Sequence, residues 1–218
     1  TDALPTELHS CGRGGLYSVQ TALARQLVAQ YRVLPAKNWR VRPAVVASAM
    51  HSPFEPDMIV NPDLLMHAYR SGIFPMADSR DDPEIFWVEP RRRAILPLDG
   101  FRLSRSLART LRRGRFTVTC NAAFPAVLDA CAQPRAESPD TWISHRIAAT
   151  YRALHTAGHA HSIECWRDGN LAGGLYGVGF DRVFCGESMF SHATDASKVA
   201  LAWLVAALRR AGATLLDC

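Results

Sequence analysis

The stretch from Leu171 to Lys198, LAGGLYGVGFDRVFCGESMFSHATDASK, constrains this chain more than any other. It combines five glycines in apolar surroundings, one acid in an apolar neighbourhood, and a helix start. Leu171 to Val178 and Val183-Phe184-Cys185 are apolar runs of strand length. Asp181-Arg182 between them has turn composition, so a hairpin or an adjacent strand pair is predicted. Glycine within a strand marks a bulge or a close backbone approach by a ligand. Glu187, between Gly186 and Ser188 at the end of an apolar strand, is costly to bury unless it is paired or used. It is read either as a functional carboxylate or as a cap for the turn that follows.

The chain has 218 residues, enough to bury a core in one or two domains. Thr1 to about Asp57 differs from the rest. Gly15 to Val33 has helical periodicity, and the polar, proline-punctuated segment after it reads as a linker or extension. The compact part is predicted to begin near Met58. Asn61-Pro62-Asp63 is a helix start, with a cap residue, a proline in the first turn and an acid near the positive helix end. Gly72 ends that helix. Ile73 to Met76, Ile85 to Val88 and Ala94 to Leu98 are short strand candidates, and Phe116 to Cys120 is a fourth. Asn121 is expected to cap a helix carrying Phe124, Val127, Leu128 and Cys131. The polar loop Gln133 to Asp140 is the expected domain boundary.

A helix is then expected over Trp142 to His155 and a strand over Ala160 to Trp166. After the glycine-rich pair comes a long helix, Ala196 to Ala211, opened by Asp195, and a last strand from Thr214. This order predicts a mixed α/β layer with the long helix across one sheet face. The expected organisation is an extension over 1–57, a small α/β domain with a basic helix over 58–135, and a second domain over 136–218.

Charge is concentrated rather than spread. Arg91 to Arg115 contains nine arginines and one acid, a net +8 against +5 for the whole chain. Arg102, Arg105, Arg109 and Arg112 are three, four and three residues apart, which aligns them on one face of a helix from Ser104 to Arg113. That face is either solvated or a polyanion contact; the local excess favours a polyanion.

Several chemistries are excluded or weakened. Six cysteines without C-x-x-C spacing read as reduced thiols in a cytoplasmic protein. The longest apolar run, Val199 to Leu208, suits a buried helix and is too short to span a membrane. His159-Ala160-His161 lacks a third ligand at fixed spacing, so no metal is expected. Cys185 has no activating histidine nearby in sequence and reads as a core thiol. There is no G-x-S-x-G elbow and no P-loop.

Several motifs occur in order: Tyr69-Arg70-Ser71-Gly72-Ile73-Phe74-Pro75-Met76, Thr141-Trp142-Ile143-Ser144, and Gly158-His159-Ala160-His161-Ser162-Ile163-Glu164. Gly173-Gly174-Leu175-Tyr176-Gly177, Phe184-Cys185-Gly186-Glu187-Ser188-Met189-Phe190-Ser191, Asp195-Ala196-Ser197-Lys198 and Leu215-Leu216-Asp217-Cys218 follow. Together they resemble the leucyl/phenylalanyl-tRNA–protein transferase family, from about Met58 to the end. Thr1 to Asp57 does not resemble the family's usual start.

The resemblance implies an α/β fold whose second domain is acetyltransferase-like (GNAT), with a mixed sheet and a long packed helix. It implies transfer of Leu, Phe or Met from aminoacyl-tRNA to the N-terminal Arg or Lys of acceptor proteins, marking them for N-end-rule degradation. No cofactor, metal or membrane is implied, and a cytoplasmic monomer is expected. Glu187 and Asp217 take the catalytic positions. Leu175, Phe184, Met189, Leu204 and Leu216 match the aminoacyl pocket, with Ser191 at its edge. Trp142 matches an aromatic that stacks on the terminal adenosine; its core alternative stays open. Arg105, Arg109, Arg112 and Arg113 match the tRNA-binding cluster.

Two departures carry expectations. The family pattern continues beyond Leu-Ile-Asp-Cys with a glutamine and a further strand, whereas this chain ends at Cys218, so weak activity or none, and lower stability, are expected of it as it stands. Met76 stands where many members have Trp, which removes one adenosine contact. Two alternatives remain: a CoA-dependent N-acyltransferase, disfavoured by the absence of glycine at the helix start after Ser191, and a non-catalytic RNA-binding module.

Overall fold

The computed structural model describes residues 50–51, 59–134 and 140–218. The helix expected over Gly15 to Val33 and the linker after it lie outside them. So does the residue at which the second domain was expected to begin.

Local signals set the first elements. In helix α1 (Pro62–Arg70) the Asn61 side chain accepts from the Asp63 N–H at 2.8 Å, and Pro62 occupies the first turn, where its missing N–H costs nothing. Gly72, at φ 81°, lets the chain leave the helix. Strands β1 (Met50–His51), β2 (Phe74–Met76) and β3 (Phe86–Val88) form a three-stranded antiparallel sheet in the order β1-β3-β2. Met50 and His51, within the expected extension, thus pair onto this small sheet.

The main sheet has six strands in the order β4-β9-β8-β7-β6-β5. They are β4 (Ile95–Leu96), β5 (Thr117–Cys120), β6 (Ala160–Arg167), β7 (Asn170–Phe180), β8 (Val183–Ser191) and β9 (Leu215–Asp217). Only β8 and β9 run parallel; the other pairs are antiparallel. Both edge strands, β4 and β5, come from the segment before the expected boundary at 135.

One face of the sheet carries α2 (Arg105–Arg112) and α5 (Ala196–Arg210). Leu107, Leu111, Val199, Leu204 and Leu208 pack there against Leu175, Phe184 and Leu216. The other face carries α1, α3 (Phe124–Cys131) and α4 (His145–Thr156), with Leu65, Tyr69, Phe124, Leu128, Ile147 and Tyr151 around Tyr176 and Val178. The architecture is therefore mixed α/β, with the long helix on one face of the sheet.

β7 and β8 form a hairpin, turned at Asp181 with φ 50°. The glycines of β7 serve close packing within the protein. A Cβ at Gly177 would overlap the Cys185 carbonyl and the Phe184 ring, and one at Gly173 would overlap Ala196 of α5. The close approach signalled by the sequence is thus made by the protein's own backbone and helix. Beside Gly177 the register slips. Tyr176 faces Ser188 while Gly177 faces Gly186, which leaves Glu187 as the extra residue of a β-bulge.

Asn121 does not cap α3. It adopts φ 56°, and its side chain instead accepts from the Ser162 N–H at 3.0 Å and contacts His161 Nδ1 at 3.0 Å. The free N–H groups of Ala122 and Ala123 point at the Glu164 carboxylate of β6, each at 3.4 Å. A charged acceptor from a neighbouring strand has taken over the cap. α4 starts at His145 rather than Trp142, because Ser144 supplies its cap: Oγ accepts from the Ile147 N–H at 3.3 Å.

Candidate functional site

The β8 bulge turns Glu187 toward the α1/α4 face. There Tyr151 Oη donates to Glu187 Oε2 at 3.0 Å, and Tyr69 Oη lies 2.5 Å from Tyr151 Oη. This hydroxyl chain links α1, α4 and β8. Burial pushes the Glu187 carboxyl up to about 7; the Tyr69 and Tyr151 hydroxyls and the Arg93 charge oppose that rise, and the Asp217 charge adds to it. A carboxylate poised near neutrality can take a proton from an amine and give it back.

Glu187 forms part of the wall of a cavity of about 390 Å³, within the range of small-molecule sites. Leu175, Met189, Leu201, Leu204 and Leu216 make its apolar lining, and Trp142 and Tyr176 its aromatic one. Residues of both sheet faces reach this one cavity. Trp142 stands edge-on to Tyr151, with ring centroids 6.5 Å apart. Met189 is 40% exposed, a flexible apolar side chain on the open side.

Of the expected pocket residues, Leu175, Met189, Leu204 and Leu216 line this cavity beside Glu187 and Trp142. Phe184 does not. It is fully buried in the core cluster that contains Leu175, Leu204 and Leu216. Ser191 lies beyond the cavity, where its Oγ donates to the Ala193 carbonyl at 2.8 Å and accepts from the Ser197 N–H at 3.3 Å, organising the approach to α5. It lines a neighbouring cavity of about 370 Å³ that shares Met189 and Gln133 with the first.

Asp217 on β9 is in register with Cys185 of β8, whose thiol lies 3.6 Å from Asp217 Oδ2. Burial pushes that thiol well up, so it is not a nucleophile at neutral pH. Asp217 is held by Arg93: Nε donates to Oδ2 at 2.6 Å, and a second guanidinium nitrogen pairs with the same oxygen. Burial alone would lower the Arg93 pKa, but the Asp217 carboxylate more than offsets this, so the guanidinium stays charged.

Arg105, Arg109, Arg112 and Arg113 are exposed on and just after α2, and none has an ion-pair partner among the described residues. Leu107, Ala108 and Leu111 bury the opposite side of that helix. Thr110 Oγ1 donates to Asp195 Oδ2 at 3.1 Å, tying the basic helix to the start of α5. Met76 lies on β2 opposite Phe86 and is not part of the cavity wall.

Three site residues escaped sequence reasoning. Arg93 was one charge among nine, although it faces inward. Tyr69 and Tyr151 read as core residues of amphipathic helices. A tyrosine on a buried face needs a partner for its hydroxyl, and that need was the available signal. Among the described residues no group of three or more His, Cys, Asp or Glu could hold a metal ion. His161 of the H-x-H pair instead meets Asn121. No described helix is long and apolar enough to cross a membrane.

Fold and site define a mixed α/β protein with a ligand-sized apolar cavity under a carboxylate poised to exchange a proton. Residues 95–218 match the family described as leucyl/phenylalanyl-tRNA protein transferase, and residues 58–91 match that family's N-terminal domain. The chain belongs to this family. Proteins named leucyl/phenylalanyl-tRNA–protein transferase from Novosphingobium aromaticivorans and Rhizorhabdus wittichii are 74% and 60% identical to it over 159 residues. One from Rhodopseudomonas palustris is 60% identical over 158. These matches cover 73%, 73% and 72% of this chain, and 60%, 64% and 70% of the relatives. The two matched segments meet between 91 and 95, where the small sheet gives way to β4 of the main one.

Proposed function

We propose that this chain transfers leucine, phenylalanine or methionine from aminoacyl-tRNA to the N-terminal Arg or Lys of acceptor proteins in the cytoplasm. The product would be marked for N-end-rule degradation. One observation carries the reading: the Glu187 carboxyl, raised to about 7, stands on the wall of an apolar cavity lined by Leu175, Met189, Leu204 and Leu216. Such a lining suits apolar side chains that are unbranched at Cβ, aliphatic or aromatic, and Met189 adapts to several of them. Trp142, at the same cavity, offers a face for the terminal adenosine. Arg105, Arg109, Arg112 and Arg113 would meet the phosphates.

The chemistry needs little beyond positioning and one proton carrier. An aminoacyl ester is already activated, and an acceptor α-amine has a pKa of about 7.7–8.0. The neutral amine attacks the ester carbonyl carbon, forming the C–N bond and moving the carbonyl electrons onto oxygen. Glu187 takes the proton from the new ammonium. The tetrahedral intermediate then collapses, the bond from carbon to the ribose oxygen breaks, and that oxygen receives the proton as tRNA leaves. Asp217 stands within electrostatic reach of Glu187 and strengthens its hold on the proton.

The test is direct. Leu-tRNA and a peptide beginning with Arg are mixed with the protein, and the peptide is weighed by mass spectrometry for an added leucine. No leucine-extended product from the folded protein sinks the reading. Replacing Arg109 and Arg112 together by Ala should weaken tRNA binding and shallow its logarithmic salt dependence by about two. Unchanged binding would assign the basic face to solvent.

A further inference from the structure

Arg93 is bound on three sides. Besides Asp217, its Nη1 donates to the Gly72 carbonyl at 3.0 Å, and its guanidinium lies 5.3 Å from the centre of the Phe74 ring. Gly72 follows α1 and Phe74 begins β2, so both belong to the small N-terminal unit. Asp217 belongs to the main sheet. Arg93 lies on the short connection between the two matched segments and bridges them at the site. Its side chain is 31% exposed while that of Asp217 is 7% exposed. A guanidinium so engaged is not offered to phosphate, unlike those of Arg109 and Arg112 on α2.

We propose that Arg93 is a positioning residue of this site, clamping the Asp217 carboxylate to the Gly72–Phe74 segment so that Asp217 stands as a fixed, compensated anion near Glu187. The inference rests on the transfer reading above and deepens it. A planar guanidinium fixes a carboxylate in direction as well as in charge. Without it, Asp217 would remain buried beside Cys185 and near Glu187 with no cation among the described residues. Among the described residues the groups that face Glu187 are few: Tyr69 from α1, Tyr151 from α4, Tyr176 from β7, Cys185 on its own strand, Asp217 from β9, and Arg93. Asp140 joins the same cavity wall. Arg93 is the only cation among these described residues. The two members of the clamp therefore pull the Glu187 proton in opposite directions: Asp217 favours its retention and Arg93 its release.

The experiment reads that opposition without depending on turnover. The Glu187 carboxyl is titrated by carbon-13 NMR, assigned by comparison with Glu187→Gln, in the wild-type protein, in Arg93→Met and in Asp217→Asn. Arg93→Met should raise the Glu187 midpoint by about one pH unit, and Asp217→Asn should lower it. In the leucine-transfer assay at pH 7, Arg93→Met should lower kcat about fivefold, as the ionised fraction of the carboxyl falls from about one half to about one tenth, with the KM for Leu-tRNA unchanged. An unmoved midpoint in Arg93→Met, or a raised KM for Leu-tRNA with unchanged kcat, overturns the clamp. If Arg93→Met does not fold, Arg93→Lys decides. Lysine keeps the charge without the fork, so the midpoint should hold while kcat falls a few-fold, and wild-type kcat overturns the positioning. Absence of leucine transfer by the wild-type protein sinks the transfer reading alone, since the titration still reports the clamp.

Discussion

Glu164 and Glu187 lie on β6 and β8 of one sheet, two acids drawn into the same protein, and they have opposite surroundings. Glu164 is fully buried and surrounded by donors. Thr119 Oγ1 and Ser162 Oγ each donate to it at 2.5 Å, and the Ala122 and Ala123 N–H groups reach it at the start of α3. Each oxygen is occupied by the protein, and Glu164 lines neither of the two cavities beside Glu187. Glu187 is part-buried, accepts a hydrogen bond from the Tyr151 hydroxyl, and has a cavity in front of it. The difference teaches how to tell a structural acid from a working one. Burial alone does not mark a site; donor count and access do. A carboxylate with four donors is finished as a structural part, and one with a single donor and an open cavity has capacity left for a substrate.

The largest effect should come from Glu187, the acid proposed to carry the proton. Glu187→Gln keeps the shape and the Tyr151 contact but cannot take a proton. Leucine transfer should fall by about 10²–10⁴, equivalent to roughly 3–5 kcal/mol in the barrier. Circular dichroism and tRNA binding should be unchanged. A variant that keeps wild-type transfer would erase the distinction between the two glutamates.

Glu164→Gln should do the reverse. The new amide nitrogen cannot accept, so the hydroxyl and the backbone N–H that share the oxygen it replaces lose their acceptor in a buried setting. The protein should lose about 2–4 kcal/mol of stability. Urea unfolding measures this, and activity per folded molecule should stay near wild type. A stability loss below 1 kcal/mol would show that the donors find other partners.

How far the sequence reveals this difference depends on the range of the interactions. Asn61-Pro62-Asp63 announces α1 because cap, proline and acid act within one turn. Ser104 announces α2 for the same reason. The Leu171 to Cys185 hairpin is legible because apolar runs and a turn are contiguous. Glu187 stands out as an acid among apolar neighbours. Glu164 has equally apolar neighbours in Ile163 and Cys165, yet its donors come from up to 45 positions away, so no local window separates it from Glu187. The same blindness misassigned the α3 cap to Asn121, which is adjacent, when Glu164 supplies it from 42 positions away. Arg93 and Asp217 are 124 positions apart. Their pairing depends on β9 entering the sheet beside β4, a topology that composition does not encode locally. The β8 bulge is likewise invisible, because it arises from register between strands rather than from a residue type.

A third test separates the acids by pH. The Glu187 carboxyl is raised from an ordinary 4.5 to about 7 in the folded protein. Between those values the folded state holds a proton that the unfolded state has released. Stability associated with this group is therefore full below about 4.5, declines as pH rises, and is fully lost above about 7. Glu187→Gln carries no such penalty. It should match wild type near pH 4.5 and exceed it above pH 7 by on the order of 2–3 kcal/mol, a figure discounted for the contact of Glu187 with the cavity. Urea titrations at pH 4.5, 6 and 8 measure the gap. A gap that does not widen with pH would mean that Glu187 is not strained toward its neutral form.

The smallest effect tests the single hydrogen bond that distinguishes Glu187 from an unpaired acid. Tyr151→Phe removes the hydroxyl that donates to Glu187 Oε2 and leaves the ring in place against Trp142 and Tyr176. The ionised carboxylate loses more than the neutral acid does, because the donated hydrogen bond favours the charged form. Glu187 should therefore hold its proton to higher pH. The acid limb of the leucine-transfer profile, expected near pH 7, should move upward by a few tenths to one unit, and the plateau rate at high pH should stay within a few-fold of wild type. Tyr69 loses its 2.5 Å partner in the same variant, so part of the roughly 1 kcal/mol stability cost will be its own. Tyr69→Phe separates the two: it should carry a similar stability cost and also move the limb upward, since the Tyr69 hydroxyl too favours the ionised acid, while Tyr151 still donates to it. Equal shifts in both variants would mean that the chain of hydroxyls acts on Glu187 as one unit, and the simple count of one donor against four would have to be replaced by a count of connected donors.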